Sequence, residues 1–269
     1  MDTAAHIAAI EQDGLILAEA AERAGLAAPV PSCPAWQVRD LVRHLSYVHR
    51  WAAAYVAEQI SHRTERLSEA ELLAGGPPDA ELLAWFRDGH AGLTAALAAA
   101  DPELACWTFL PAPTPLAFWS RRQAHETAIH RADAQLAAGE DPVFAAELAA
   151  DGIDELLLGF YGPPGAGAGP DGETAETAGG SDAAGRTLRF SATDTGDEWH
   201  ATLGADGGGP EYTGRGAGPA GPVGCELAGP ASSLYRLVWN RAGSLADLTM
   251  TGNDQLVRDW RAGTSIYWG

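Results

Sequence analysis

Lysine does not occur in this 269-residue chain; all 17 basic residues are arginine. Chemistry that needs a catalytic amine, such as a Schiff base or internal aldimine, is therefore excluded. Cysteine is scarce, and Cys33, Cys106 and Cys225 stand far apart and odd in number. They form no C-x-x-C pair and no disulfide framework. Long hydrophobic runs are missing too, so no segment reaches the length of a bilayer span. The first residues, MDTAAHIAAIEQDG, carry early acids and no basic stretch, which argues against a signal peptide. These absences predict a soluble, cytoplasmic protein in a reducing compartment.

Positive charge is short as well. With 36 acidic residues against 17 arginines, the formal net charge is −19. Such a surface repels phosphate backbones and anionic membranes, so neither nucleic acid nor membrane is an expected partner. The excess acid reads as solubility charge. The missing lysine, beside abundant alanine and glycine, reads as GC-rich coding bias.

What is present suits a folded enzyme-sized chain. Apolar residues make up 46%, with nine tryptophans, enough for a sizeable core. The length favours two domains. Residues 1–140 read as four helices. The first runs from His6 to Ala24 and stops at Gly25. In PVPSCPAWQVRDLVRH, Ser32 or Cys33 occupies an N-cap position and Pro34 suits the first helical position. Trp36, Leu41, Leu45, Val48, Ala52 and Tyr55 then mark one face of a helix reaching about Gln59. A third helix runs from Asp79 to Ala100, and a fourth from Leu116 to Ala138, before Gly139. Four helices of about 20 residues with modest loops imply a four-helix bundle.

A connecting segment, 141–185, begins with a helical stretch from Pro142 to Tyr161. It continues as a Gly/Pro/Ala-rich loop or hinge over 162–185. Residues 186–269 read as a small α+β domain. RTLRFSA (186–192) and EWHATLG (198–204) alternate as a hairpin would. GCELAG (224–229) is a candidate third strand, Ala231–Asn240 a helix, LADLTMTG (245–252) strand-like, and NDQLVRDWRAG (253–263) a helix capped by Asn253 or Asp254.

The informative segment is WSRRQAHETAIHRADA, Trp119 to Ala134, on the fourth helix. Glu126 and His130 are four residues apart, so they stand one turn above the other and reach a common ion. His125 lies about 140° round the helix from His130 and cannot easily join them. On the second helix His44 shares the apolar face of Leu41, Leu45 and Val48, whereas His49 points elsewhere. Helical geometry thus selects His44, Glu126 and His130 as a divalent-metal set with an open position. Structural readings compete: a salt bridge from Glu126 to Arg121 or Arg122, a bond from His130 to Asp133, and a hydrogen-bonded core histidine at position 44.

At these residues the chain resembles the mycothiol-dependent maleylpyruvate isomerase family of the DinB-like superfamily of four-helix metalloproteins, found mainly in actinobacteria. The strings that carry the resemblance are VPSCPAWQVRDLVRHLSYVHRW (30–51), WSRRQAHETAIHRADA (119–134), GPASSLYRLVWNR (229–241) and LTMTGNDQLVRDWRAG (248–263). Nearly the whole chain is covered apart from the Gly-rich insert. The resemblance implies an α+β architecture, a DinB-like four-helix bundle followed by a small α/β domain likened to sterol-carrier folds. It implies zinc, or another divalent metal, on His44, Glu126 and His130. It also implies mycothiol as thiol cosubstrate and a small electrophilic substrate. Arg241 in VWNR is the best match to an arginine needed for activity, with Arg236, Arg258 and Arg261 nearby.

Three functions compete. The first is a metal- and thiol-dependent isomerase or S-transferase, a monomer or weak dimer, whose bound thiol is deprotonated by the cation. There Arg241 grips a substrate carboxylate, and Trp119 and Gln123 are the cofactor-binding candidates. Trp119, seven residues before Glu126 on the same face, either walls the pocket or packs in the core. The second is a non-catalytic metal or small-ligand module, which a fourth protein ligand would favour, with His49, His90 and His125 to watch. The third is a metal hydrolase using Asp40 or Asp133 as base. Cys33, at the approach to helix two, is either activated there or simply buried.

Overall fold

The structure, a computed structural model, describes residues 1–64, 71, 75–162, 184–204, 209–215, 222–241 and 246–264. The Gly-rich hinge expected over 162–185 lies, from 163 to 183, outside the described residues. The chain divides into two compact units, one of residues 1–108 and 112–142, the other of 109–111 and 143–266.

In the first unit four long helices are described: α1 (Thr3–Ala24), α2 (Val38–Ala57), α3 (Asp79–Ala99) and α4 (Pro115–Ala137). Asp2 caps α1 by accepting from the Ala5 amide, and Thr114 caps α4 by accepting from Ala117. Gly25 and Gly139, at φ 79° and 77°, end α1 and α4 in the left-handed region glycine tolerates. α1 packs on α4 and α3, and α2 packs on α3 and α4, so the two diagonals barely touch. The core between them includes Leu17, Val30, Trp36, Leu41, Leu45, Leu82 and Phe86, all buried.

Helix two begins later than its sequence suggests. Its N-cap is Gln37, and Ser32, Cys33 and Pro34 lie in the preceding turns. The first-turn amides find carbonyls elsewhere: Val38 donates to Ala28 and Arg39 to Leu26, each at 2.9 Å. Asp40 accepts from the Gln37 amide at 2.9 Å. With those donors satisfied, a cap at position 32 or 33 has nothing left to do. Cys33 is buried in the core cluster, four residues before the N-cap Gln37.

Gly14, inside α1, makes room for His90 of α3. A Cβ there would stand 2.3 Å from the imidazole Nε2, which donates to the Ile10 carbonyl at 2.9 Å.

Asp13 faces Arg131 across α1 and α4, with oxygen and Nε 3.4 Å apart. Burial pushes its carboxyl up to about 6, against the opposing pull of Arg131. A carboxyl whose folded pKa lies above its unfolded value stabilises the fold below the unfolded pKa, near 4. That stability is lost as pH rises through about 6. We expect Asp13→Asn to gain on the parent protein by about 2 kcal/mol between pH 4 and pH 7. Denaturant titrations at both pH values check this; a constant difference contradicts it.

The second unit opens with α5 (Ala146–Asp154), which runs into a wider π turn over Glu155–Phe160, so the helix expected from Pro142 is shorter than its sequence pattern. Five strands form one sheet: β1 (Thr187–Ala192), β2 (Glu198–Thr202), β3 (Glu211–Thr213), β4 (Cys225–Gly229) and β5 (Thr249–Gly252), in the order β3-β2-β1-β4-β5. β1 and β2 make the expected antiparallel hairpin, with Phe190 opposite Trp199. β4 joins β1 in parallel, and the short edge strand β3 has no counterpart in the sequence reading. Two helices pack on β1 and β4: α6 (Ala231–Val238) and α7 (Asp254–Gly263). Trp260 of α7 meets Phe190 at 5.1 Å and donates to the Tyr212 hydroxyl.

α6 stops at Val238, two residues before the expected end, in a Schellman turn. Asn240 sits at φ 60°, its amide donates to the Leu237 carbonyl, and the Arg241 amide to that of Arg236. The Asn240 side chain accepts from Arg261 at 3.1 Å. Among the described residues no helix is long and apolar enough to cross a membrane.

Candidate metal centre

His44 comes from the middle of α2, and Glu126 and His130 from successive turns of α4. Glu126 Oε1 lies 3.3 Å from His44 Nε2 and 3.4 Å from His130 Nε2. The three ligand atoms all lie within 4.8 Å of one another. A tetrahedral ion with bonds of about 2.0–2.2 Å sets its donors about 3.3–3.5 Å apart. The two spacings lie at the long end of hydrogen bonds and also match donors sharing one ion. Two imidazoles and one carboxylate suit zinc and neighbouring first-row divalent cations.

The neighbours of these donors fix their orientation. His130 Nδ1 pairs with Asp133 Oδ2 at 2.8 Å, leaving Nε2 to face the group. Asp133 in turn accepts from the Ser32 hydroxyl. Arg122 Nη2 takes the other oxygen of Glu126 at 2.9 Å, so Oε1 is the oxygen offered to the site. Trp36 stacks on His130, with centroids 6.1 Å apart, and tilts against His44 at 5.0 Å. The carboxylate–histidine arrangement is the usual support of a metal-binding imidazole.

Burial works against a charged Glu126, yet hydrogen bonds from His130 and His44 and the charge of Arg122 outweigh it. Its pKa falls well below the usual carboxylate range. Burial likewise opposes a charged His130, and the bonds to Asp133 and Glu126 overcome it, raising the pKa. The two shifts favour a proton on His130 between Glu126 and Asp133, which a cation on Nε2 would have to displace.

The structure brings together the three residues selected from helical spacing. The histidines watched as a fourth ligand go elsewhere. His49 pairs with Thr127 Oγ1, His90 with the Ile10 carbonyl, and the His125 ring meets that of His6. Among the described residues no fourth histidine, cysteine, aspartate or glutamate completes the group. Trp119 is fully buried among Trp51, Tyr55 and Phe118, and its indole donates to the Trp107 carbonyl at 3.0 Å. Gln123 is buried, and its amide oxygen has no protein partner among the described residues. Arg241 belongs to the second unit, buried, with Nη1 donating to the Trp239 carbonyl. Ser32 and Trp36 were not identified from sequence as parts of this site. Their only signal is position in the turn before α2, and nothing local marks that turn as facing α4.

Fold and donor set together define a helical-bundle protein with a two-histidine, one-carboxylate centre, joined to a small sheet unit. Two family models match the chain in order: the mycothiol maleylpyruvate isomerase N-terminal domain over residues 7–135, and the MDMPI C-terminal domain over 147–258. The chain belongs to the mycothiol maleylpyruvate isomerase family. Two solved structures share the fold: the mycothiol-dependent maleylpyruvate isomerase and a histidine-to-alanine mutant of it. Each aligns with a TM-score of 0.61 at 13% identity over 93% of both chains. Comparison with curated proteins gave no match.

Proposed function

We propose that this protein is a metal- and mycothiol-dependent isomerase acting on a small, electrophilic, unsaturated acid. The observation that carries the reading is the donor group of His44, Glu126 and His130, spaced for one ion and, among the described residues, joined by no fourth histidine, cysteine or carboxylate. A divalent cation bound there, zinc first among the choices, supplies a thiolate nucleophile at neutral pH by acidifying a coordinated thiol.

The chain's own residues do the rest. Asp133, held by Ser32, keeps His130 in the tautomer that presents Nε2. Arg122 holds Glu126 as a one-oxygen donor. Counting Glu126, Asp133 and Arg122, the protein contributes one net negative charge. With a dication on His44, Glu126 and His130 the net charge of this group would be positive, which would favour an anionic thiol. Addition of the thiol to the activated double bond frees rotation about it, and expulsion of the thiol restores the alkene. Gln123, with its buried amide oxygen, is the candidate to accept a hydrogen bond from the thiol cosubstrate. A reduced thiol as cosubstrate makes the cytoplasm the compartment of this reading.

Metal analysis combined with thermal shifts tests it. We expect close to one divalent ion per chain and a clear rise in melting temperature with mycothiol. Ligand at a hundred times its Kd adds about 2.7 kcal/mol of stability. Chelator treatment is expected to abolish the shift, and thiols lacking the mycothiol sugars to give a smaller one. A mycothiol shift that survives metal removal defeats the metal-thiol reading.

A further inference from the structure

His49 lies on α2, five residues beyond His44, and is completely buried. It packs on Phe86 at 5.6 Å and His90 at 5.7 Å, and its Nε2 lies 3.0 Å from Thr127 Oγ1. Thr127 directly follows Glu126 on α4. Its hydroxyl carries one proton, and the Gln123 carbonyl, which can only accept, takes it at 2.7 Å. Toward His49 the hydroxyl must therefore accept, so His49 carries its hydrogen on Nε2. Nδ1 is then a bare acceptor, and no protein group among the described residues bonds it.

This is a costly way to fill a core. A buried acceptor without a partner costs about 1–3 kcal/mol, a cost that an apolar ring of the same shape avoids. What the imidazole contributes in exchange is a directional link between the two helices that carry the donors. α2 brings His44, and α4 brings Glu126 and His130. The link is made about 7.5 Å along α2 from His44, at the residue next to Glu126. It opposes sliding of α2 along α4 and rotation of α4 about its axis. Those are the two motions that would open the 3.3 Å spacing of His44 and Glu126.

We infer that His49 is a positioning residue of the metal centre: as the neutral Nε2–H tautomer it clamps α2 to α4 through Thr127, setting the register at which His44 and Glu126 meet one ion. The inference rests on the metal reading above and adds a residue outside the donor group. It predicts that loss of the hydrogen bond, rather than loss of core volume, degrades the site.

Cobalt(II) is the probe. Its affinity is measured by competition with a chelator, its geometry by visible absorption, and the metal-free melting temperature is recorded beside them. His49→Phe keeps the ring and removes the donor, Thr127→Val removes the acceptor, and His49→Gln returns an N–H near the Nε2 position. We expect His49→Phe and Thr127→Val to bind cobalt about 10–100-fold more weakly, with altered absorption bands. We expect the metal-free His49→Phe protein to melt no lower than the parent, and His49→Gln to recover most of the affinity and the parental spectrum. Parental affinity and spectrum in His49→Phe overturn the inference. So does a loss that merely follows a lowered metal-free melting temperature and is not recovered by glutamine. A parent protein that binds no cobalt overturns the metal reading itself, and this inference with it.

Discussion

Glu126→Gln is expected to lose at least about a thousandfold in metal affinity, or about 4 kcal/mol. The substitution keeps the size of the side chain and removes its charge. In the parent, one oxygen lies 3.3 Å from His44 and 3.4 Å from His130, and the other accepts from Arg122. An amide oxygen cannot replace a carboxylate as partner to a dication, and in a buried site the loss of charge is poorly compensated by water. The damage extends to the metal-free protein. The Arg122 guanidinium, 4% exposed, loses the carboxylate that pairs with it, and removing one member of a buried pair typically costs about 3–5 kcal/mol. We therefore expect the variant to be purified without stoichiometric metal, to melt lower even beside the chelated parent, and to show no mycothiol-dependent turnover. Metal analysis, chelator competition and calorimetry check these together. Affinity within tenfold of the parent would remove Glu126 from the ligand set and leave the arrangement a salt-bridge network.

The second large effect concerns Trp119. Its indole is fully buried, stacked on Tyr55 with centroids 5.0 Å apart and edge-on to Trp51 at 5.1 Å, with its N–H on the Trp107 carbonyl. Trp119→Ala removes a large side chain, its ring contacts and its hydrogen bond to the Trp107 carbonyl. We expect a destabilisation of about 3–5 kcal/mol, read as a lower denaturant midpoint with an unchanged slope. Trp119→Phe is expected to recover part of this, through the ring but not the N–H. The same pair of variants separates a core role from a cofactor-binding one. If Trp119→Ala keeps its stability and loses the mycothiol shift, the residue is a pocket wall. If stability falls and the phenylalanine variant keeps the mycothiol shift, it is core.

The donor residues were legible because a helix repeats every 3.6 residues. Glu126 and His130 at a spacing of four, and His44 on the face of Leu41, Leu45 and Val48, are consequences of that period. The residues that hold the donors were less so. Arg122 and Asp133, at i−4 from Glu126 and i+3 from His130, were visible as rival explanations of the same side chains, and Asp133 also as a candidate base. The structure shows both of those bonds, Arg122 to Glu126 and His130 to Asp133. Ser32 and Trp36 reach α4 from a turn closed by hydrogen bonds between residues 26–30 and 36–39. That closure pairs groups around Pro29, Pro31 and Pro34, and no periodic pattern reports it. The same turn displaced the start of α2 to Val38.

The hairpin of β1 and β2 was readable because their alternation and short connection are local. The parallel pairing of β1 with β4 and the three-residue edge strand β3 were not, since both depend on partners distant in the chain. By itself, then, the sequence determined most of the helical spans and the spacing that groups His44, Glu126 and His130, because backbone period and side-chain polarity act over a few residues; it did not foresee that His49, expected to point elsewhere, is buried against Thr127, Phe86 and His90. Tertiary structure alone decided which carboxylate oxygen faces the site, which tautomers His130 and His49 adopt, and how the sheet is ordered. Those choices follow from hydrogen bonds between groups that only folding brings within reach.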